Sequence, residues 1–496
     1  MKSLSQIAAA ETFQDRSLLI LIAIMALAAF LRIFLIGNHG LWLDEVSSLG
    51  FAKNNLQELI QIVTAFDNHP PTYYILLHYW ILMFGDSEVS LRIPSAIFSV
   101  LSVLFTYKVG NILFDRRVAA IAALLLALSG FSIYYAQEAR MYSLLAFTSV
   151  LSVYFLLKHL NKNTPWSLIN YILSTTLLIY THLYGLFILV AENLYILTII
   201  YAYSEKNAGI QLKKWVSAQI YIFLLSLPWL VSLINRILVV DEQGFWVEIP
   251  TLTSIVKTFT AFSGTTKGLP IWLALLLLSI LFALIIKTAP GRKILNAPSS
   301  PRHVKSVYFL SLLLLIPIVL PYLVSQFVTP IYIIRCTIAG HFAFYLLVAH
   351  GITRIRWMHV RFTALVLVLL LSTRSIARED YVHRKSAQIR QAVEHIGDNF
   401  ENNDVVIICG DRHLEKPFRY YAEKLDNPVT IVNIQLPNNE LAIPENLEAG
   451  QLWFVRRTDR VERCGEFPHT ISHRYFQTGM TNTTFRKLEL TTLKNK

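Results

Sequence analysis

Hydrophobic residues occupy long segments of the chain that are separated by shorter polar stretches. A helix that crosses a bilayer needs about 20 apolar residues. Eleven segments approach or reach that length: 18–36, 92–110, 118–136, 140–157, 168–182, 184–203, 216–236, 270–287, 307–328, 338–352 and 361–374. This pattern predicts a mostly α-helical, polytopic membrane bundle of about 11 transmembrane helices.

The long polar stretch at residues 37–91 contains two further apolar segments. Apolar positions recur at helical spacing over 56–63, with glutamine and glutamate between them. That spacing predicts an amphipathic helix suited to the membrane surface. Residues 72–84 are apolar throughout but too short to span, so we expect an interfacial or re-entrant helix there.

The last quarter of the chain, residues 375–496, has a different pattern. Residues 384–398 show helical periodicity, whereas 404–410, 429–434 and 452–455 are short apolar runs typical of buried strands. These elements predict a small α/β C-terminal domain.

Two of the three cysteines, Cys409 and Cys464, lie in this C-terminal segment. An oxidising exterior would allow them to form a disulfide. Two separate buried thiols are an equally open alternative, since free cysteine is often fully buried.

The composition separates the two parts of the chain. The protein has 496 residues, of which 54% are hydrophobic and 15% charged, with a mean hydropathy of +0.48. Soluble proteins contain roughly 25% charged residues. Residues from 374 onward hold 35 of the 76 charged residues. The composition excludes a purely soluble, disordered or fibrous protein. We predict a transmembrane domain at 1–374 and a soluble domain at 375–496.

The net charge of +12 is a topology signal rather than a nucleic-acid footprint, because the residues from 374 onward contribute only +1. With the N-terminus placed in the cytoplasm, the inner loops carry 18 Lys and Arg residues and the longer outer loops carry seven. This bias follows the positive-inside rule. Eleven spans then place residues 375–496 outside the cytoplasm, in a multi-pass protein of the cell (inner) membrane.

Polar residues gather in the loops assigned to the outer face. Asp44-Glu45 follows the first span, and Asp67-Asn68-His69-Pro70-Pro71-Thr72-Tyr73-Tyr74 follows in the same loop. Gln137-Glu138-Ala139-Arg140-Met141-Tyr142 and Thr181-His182-Leu183-Tyr184-Gly185 occupy the next two outer turns. Polar groups at membrane depth are costly and indicate function.

Together with Leu91-Arg92-Ile93-Pro94-Ser95, these motifs resemble those of bacterial membrane glycosyltransferases. The family in question contains the protein O-mannosyltransferases and the aminoarabinose transferases of lipid A. The resemblance covers roughly residues 15–350, and the first 200 residues carry most of its specificity. It implies a GT-C fold, an active site at the outer face, a polyprenyl-phosphate-linked sugar donor and inversion at the anomeric carbon. It also implies that Asp44, after the first span, is the general base.

The chemistry of sugar transfer independently requires a small set of such residues. One base must take the proton of the acceptor hydroxyl, and we expect Asp44 to do so. The phosphate leaving group needs no proton, but its negative charge must be held. Arg140 and Arg335 are candidate phosphate-binding residues. The acceptor is a lipid, a glycan or a protein.

Each candidate also has a purely structural interpretation. Asp44 and Glu45 are either solvated loop acids or site residues, with Glu45 orienting a substrate hydroxyl or Asp44 itself. Asp67 and His69 either cap a helix ahead of the two prolines or bind substrate or metal. A divalent cation is compatible with these ligand types, but their spacing is not diagnostic.

The later outer turns leave similar alternatives. Glu138 and Arg140 either pair at a helix start or bind substrate. Tyr142 either binds the sugar or belongs to the interfacial aromatic belt. His182 is either a satisfied turn histidine or a substrate-binding residue.

Two charged residues within predicted spans have expected structural roles. Arg32, near the outer end of the first span, should extend its guanidinium toward the membrane surface. Glu192 should hydrogen-bond to a neighbouring helix.

Two other functional classes compete with a glycosyltransferase. A lipid-linked sugar transporter or flippase should place charges at the bilayer midplane within two related halves. Here the charges cluster at one face, and the sequence has no visible repeat. A non-catalytic membrane assembly protein would leave the Asp44 motif without a purpose.

Overall fold

The computed structural model describes most of the chain. The described residues are 4–67, 69–202, 208–243, 247–288, 300–379, 388–401, 404–409, 412–425, 430–434, 451–458, 480–485 and 488–494. Cys464 and the side chain of Cys409 lie outside the described residues. The two predictions for these cysteines, a disulfide or two separate thiols, therefore stay predictions.

Helices make up most of the described residues. In chain order they are α1 Leu4–Ile33, α2 Leu43–Lys53, α3 Leu56–Phe66, α4 Thr72–Phe84, α5 Glu88–Leu113, α6 Arg116–Ala127, α7 Gly130–Ala136, α8 Tyr142–Lys162, α9 Pro165–Ile179, α10 Gly185–Ala202, α11 Ala208–Gln243, α12 Leu252–Ser263, α13 Leu269–Thr288, α14 Ser300–Phe327, α15 His341–Arg354, α16 Met358–Glu379, α17 Ile389–Asn399 and α18 Arg412–Ala422. A 3-10 helix, Ile334–Gly340, precedes α15.

Seven helical segments of the described residues are long and apolar enough to cross a membrane. They are Arg16–Ile33, Glu88–Leu113, Tyr142–Lys162, Leu212–Asn235, Arg302–Phe327, Ile334–Arg354 and Met358–Ile376. The pair α6 and α7, which meet at a 58° bend, forms an eighth if it is one broken span. The other three predicted spans coincide with the shorter apolar helices α9, α10 and α13. The predicted polytopic helical fold is therefore confirmed.

Local sequence signals explain several helix ends. Asp115 lies at the N-cap of α6, where its carboxylate accepts hydrogen bonds from the backbone N–H groups of Arg117 and Val118 at 2.8 and 3.0 Å. Thr164 and Ser167 form a reciprocal capping box at the start of α9. Such bonds satisfy N–H groups that have no partner within the helix.

The chain divides into two compact units. The first contains residues 1–34, 51–85 and 90–382, and the second contains 35–50, 86–89 and 383–496. The boundary predicted between residues 374 and 375 falls within α16. It stays a prediction.

The core of the first unit is built around α15, in which every residue from His341 to Ile352 is buried. This helix packs against α6, α13 and α14. A Cβ at Gly351 would overlap the backbone oxygen of Leu275, so the close approach of α13 and α15 requires glycine there.

Arg32 does not extend toward the membrane surface, and that prediction is wrong. The residue is fully buried, its Nε donates to Ser99 Oγ at 2.7 Å, and its Nη1 donates to the Ala127 carbonyl at 3.0 Å. A guanidinium carries five donors, and here Leu126 and Ser132 accept from the remaining nitrogen. Packing against α5, α6 and α7 therefore outweighs hydration of this cation.

Glu192 behaves as expected for a buried acid within a helix bundle. Its carboxylate accepts hydrogen bonds from Ser152 Oγ of α8 at 2.8 Å and from the Tyr171 hydroxyl of α9 at 3.0 Å. The prediction of bonds to neighbouring helices is confirmed.

The second unit contains a five-stranded sheet formed by segments of the C-terminal quarter. Its strands are β1 Val405–Cys409, β2 Thr430–Ile434, β3 Gln451–Arg457, β4 Met480–Phe485 and β5 Leu488–Lys494, in the spatial order β2-β1-β3-β5-β4. β1 is parallel to β2 and β3, whereas β5 is antiparallel to β3 and β4. The predicted α/β domain is confirmed in class, although β4 and β5 were not predicted.

Candidate active site

Asp67 lies at the C-terminal end of α3 and connects two parts of the segment 37–91. Its Oδ1 accepts a hydrogen bond from the backbone N–H of His69 at 3.2 Å. Its Oδ2 accepts one from the Tyr74 hydroxyl at 2.5 Å. Helix α4 instead has Pro71 at its N-cap, with no side-chain capping bond, so Asp67 and His69 do not cap α4. Asp67 ends α3 through its backbone N–H, and its carboxylate links the His69 backbone to the Tyr74 side chain.

Arg140 lies in the turn between α7 and α8 and extends this chain of contacts. Its Nη1 donates to the Tyr74 hydroxyl at 3.1 Å, and the residue is 5% exposed. The Tyr74 hydroxyl therefore accepts from the guanidinium and donates to Asp67. Ser95 Oγ donates to the Arg140 carbonyl at 3.2 Å, which fixes the turn against α5.

Two histidines from different turns lie side by side. The ring centroids of His69 and His182 are 4.9 Å apart. His182 Nδ1 accepts a hydrogen bond from the Tyr184 backbone N–H at 3.1 Å, and its Nε2 lies 3.5 Å from Cys336 Sγ. His182 is therefore a satisfied turn histidine that also faces His69.

Arg335 enters the same region from the 3-10 helix that precedes α15. Its guanidinium carbon lies 5.4 Å from the centroid of the Tyr142 ring, which is within cation–π range. The Tyr142 ring lies 6.3 Å from the His182 ring. Tyr142 is fully buried at the start of α8, where its ring contacts the Arg335 guanidinium.

The positive charge of this region resides on the two arginines. Burial lowers the pKa of both His69 and His182 well below the ordinary value for histidine, and the charges of Arg140 and Arg335 lower both further. Both imidazoles are consequently neutral at neutral pH, because their protonated forms are disfavoured. A cluster with two arginines suits an anionic group such as a phosphate.

Glu138 lies beside this cluster. It is 2% exposed. The Tyr135 ring lies 5.2 Å from the Tyr142 ring. The backbone N–H of Arg140 donates to the Glu138 carbonyl at 2.8 Å, which makes the turn compact.

Asp44 and Glu45 belong to the second unit, in the first turn of α2. Asp44 is partly exposed, and its backbone carbonyl accepts from Ser48 Oγ at 2.9 Å. Glu45 is fully buried, and its Oε2 accepts from the backbone N–H of Trp42 at 3.4 Å. A carboxylate in this first turn is also favoured by the helix dipole. Of the two acids, Asp44 is the more accessible one, as a general base must be.

Tyr74 was not predicted as a site residue, although it lies within the quoted motif. Its hydroxyl joins Asp67 to Arg140, two residues separated by more than 70 positions in the chain. The contact between the Cys336 sulfur and His182, residues separated by 154 positions, is of the same kind. A non-local contact of this kind leaves no periodic signal in the sequence.

Within the described part of the chain, no three His, Cys, Asp or Glu side chains form a group that could hold a metal ion. The cluster of Asp67, His69 and His182 is completed by arginines and tyrosines instead.

Comparison with known proteins matches part of this region to a family. Residues 68–237 match the family described as dolichyl-phosphate-mannose-protein mannosyltransferase. The match spans about a third of the chain and includes His69, Arg140 and His182. No curated protein matches the chain significantly.

Two solved structures share the fold across most of the chain. ArnT from Cupriavidus metallidurans bound to undecaprenyl phosphate has a TM-score of 0.55 at 10% identity, covering 97% of this chain and 98% of that one. The archaeal oligosaccharyltransferase AglB from Archaeoglobus fulgidus, in complex with an inhibitory peptide and a dolichol-phosphate, has a TM-score of 0.50 at 12% identity, covering 89% and 69%. Both the family match and the shared fold agree with the resemblance seen in the sequence, and the chain has the fold of these membrane glycosyltransferases.

Proposed function

We propose that the protein is an inverting glycosyltransferase that moves a sugar from a polyprenyl-phosphate donor to a hydroxyl acceptor. The observation that carries this proposal is the cluster in which Arg140 and Arg335 supply positive charge beside two neutral histidines. Two arginines that converge at an enclosed site suit the phosphate of a lipid-linked sugar.

Asp44 is the general base in this proposal. Its carboxylate takes the proton of the acceptor hydroxyl while the acceptor oxygen attacks the anomeric carbon. The bond from that carbon to the phosphate oxygen breaks, and the phosphate leaves with the electron pair. A single displacement of this kind inverts the anomeric centre. The protonated Asp44 later releases its proton to water.

Arg140 and Arg335 hold the phosphate before and after this step. The charge on the bridging oxygen grows as the bond breaks, so a fixed guanidinium stabilises the transition state more than the ground state. The Asp67–Tyr74 pair supports Arg140, because the Tyr74 hydroxyl donates to the carboxylate and accepts from the guanidinium. His69, Glu138, Tyr142 and His182 complete the proposed donor site.

The polyprenyl class of donor is supported by the two similar structures, which were solved with undecaprenyl phosphate and with dolichol-phosphate. The acceptor is a hydroxyl of a lipid, a glycan or a protein, and the surrounding membrane lipid delivers the donor. The description of the matched family names mannose, but that match covers only part of the chain. ArnT is similar in fold alone. The identity of the sugar is therefore the first question for an assay.

The proposal is tested with the purified full-length protein in lipid nanodiscs. The protein is incubated with a panel of radiolabelled polyprenyl-phosphate sugars and a membrane extract as acceptor, and release of free polyprenyl phosphate is measured. We expect one donor to be consumed and its label to appear in the acceptor fraction. A protein that moves intact donors across the bilayer without breaking the sugar–phosphate bond is a transporter, and that result would contradict the proposal.

The proposed site lies at the outer face of the cell (inner) membrane, with the C-terminal segment outside the cytoplasm. The motivation is the excess of Lys and Arg in the loops on the other side. We expect alkaline phosphatase fused after residue 400 to be active and the same enzyme fused after residue 206 to be inactive. An inactive fusion at 400 together with an active cytoplasmic reporter there would reverse the assignment.

A further inference from the structure

The backbone that leads into the Asp44 helix is held by side chains of the C-terminal segment. Residues 37–42 lie outside helices and strands, so their backbone groups need partners elsewhere. The Leu41 N–H donates to the Tyr421 hydroxyl at 2.6 Å. Arg390 donates from Nη1 to the Gly37 carbonyl and from Nη2 to the Asn38 carbonyl, both at 3.3 Å.

Glu88 joins these two side chains. Its Oε1 accepts from the Tyr421 hydroxyl at 3.0 Å and from Arg390 Nη1 at 3.3 Å. The Tyr421 hydroxyl thus makes one bond as donor and one as acceptor, which are the two roles that a phenol offers. Burial raises the pKa of Tyr421, so the hydroxyl keeps the proton that it donates to Glu88.

The loop and the C-terminal helices are also closely packed. A Cβ added at Gly40 would lie 3.1 Å from the Cβ of Arg390 and 3.1 Å from the Tyr421 hydroxyl. These distances are shorter than ordinary van der Waals contacts, so the sequence uses glycine where the backbone approaches α17 and α18. Leu41 is 2% exposed and Tyr421 is 6% exposed, which keeps water from competing for their hydrogen bond.

Leu35 shows that this loop is constrained at its start as well. Its φ of +59° lies in the left-handed region, which a bulky residue rarely adopts. Such a conformation persists only where the surrounding structure over-determines it. The bonds from Arg390 to the carbonyls of Gly37 and Asn38 begin two residues later and supply part of that constraint.

We propose that Tyr421, Arg390 and Glu88 are positioning residues that set the place of Asp44 and so make sugar transfer depend on the C-terminal domain. Only two residues lie between Leu41, which bonds to Tyr421, and Asp44 in the first turn of α2. The backbone N–H of Trp42 donates a hydrogen bond to the Glu45 carboxylate. A shift of Leu41 would therefore also shift Trp42 and the first turn of α2, which contains Asp44. The inference rests on the proposed function because it takes Asp44 as the base.

Tyr421→Phe is the decisive variant, because it removes the hydroxyl and keeps the buried ring. We expect kcat to fall about tenfold while KM for the lipid donor stays within twofold, since a displaced base slows chemistry without removing the donor site. Tyr420→Phe is the matched control. Its hydroxyl accepts at 2.6 Å from Nζ of Lys424, a residue four positions further along the C-terminal segment, so both parameters should stay within twofold.

Amide hydrogen exchange measures the contact without reference to activity. We expect the Leu41 amide to exchange about tenfold faster in Tyr421→Phe, as the loss of one hydrogen bond predicts, and to be unchanged in Tyr420→Phe. Glu88→Gln, which keeps an acceptor oxygen for Tyr421, should change both exchange and kcat less than Glu88→Ala does.

The outcomes separate the inference from the proposed function. Faster exchange at Leu41 with kcat within twofold of wild type would overturn the positioning role. Unchanged exchange at Leu41 would overturn the contact itself. A wild-type protein that transfers no sugar from any donor would refute the proposed function, and with it this role of the three residues, even if the exchange result upheld the contact.

Discussion

Asp44→Asn should abolish sugar transfer while leaving donor binding nearly intact. Asparagine keeps the size of the side chain and one acceptor oxygen, but it cannot take a proton at neutral pH. General-base catalysis contributes roughly 10²–10⁴-fold, so we expect a loss of that order in kcat and little change in KM. The measurement is steady-state release of free polyprenyl phosphate, alongside equilibrium binding of the intact donor.

Glu45→Gln is the neighbouring control. Glu45 is fully buried and accepts a hydrogen bond from the Trp42 N–H, and glutamine retains an oxygen for that bond. Its effect on kcat should therefore be smaller than that of Asp44→Asn, provided that thermal unfolding shows both variants folded. A kcat for Asp44→Asn within threefold of the wild-type value would contradict the assignment of Asp44 as the base. A larger loss of kcat in Glu45→Gln than in Asp44→Asn would indicate that Glu45 is the base instead.

The sequence predicts the helical framework well because membrane helices have a strong local signal. The interfacial segment predicted at 72–84 is the observed helix α4, and the amphipathic pattern at 56–63 lies within α3. Both follow from apolar periodicity within one segment. Strand β4, Met480–Phe485, is rich in threonine and asparagine and lacks an apolar run, which explains why it was not predicted.

The arrangement of the candidate site depends on contacts that sequence periodicity does not encode. Arg32 illustrates the limit, since its position near a helix end predicts exposure but hydroxyls and carbonyls of three other helices bury it. Tyr421 is separated from Leu41 by 380 positions and from Glu88 by 333, so the hydrogen bonds between them are visible only after folding. Residue type and motif therefore predict which residues are candidates for the site, but only the tertiary structure shows which of them are in contact.

Arg335→Ala should raise KM for the lipid donor more than it lowers kcat. The guanidinium carbon lies 5.4 Å from the centroid of the Tyr142 ring, near His69 and His182, whose pKa values are lowered by burial first and then by the charges of Arg140 and Arg335. Loss of a charge-assisted hydrogen bond to the donor phosphate costs about 1.5–3 kcal/mol, which corresponds to a 10- to 100-fold change in donor affinity. Initial rates over a range of donor concentrations separate the two parameters.

Arg354→Ala is the matched control for that variant, because its guanidinium lies 5.0 Å from the Phe282 ring in a comparable cation–π contact. Arg354 ends α15, whereas Arg335 precedes it, so the two arginines are separated by the length of that helix. The control loses a similar aromatic contact but no proposed phosphate contact, and its donor KM should stay within twofold of wild type. Arg335→Lys, which keeps the charge without the bidentate fork, should fall between alanine and wild type. If KM for the lipid donor is the same in Arg335→Ala and Arg354→Ala, Arg335 does not bind the donor.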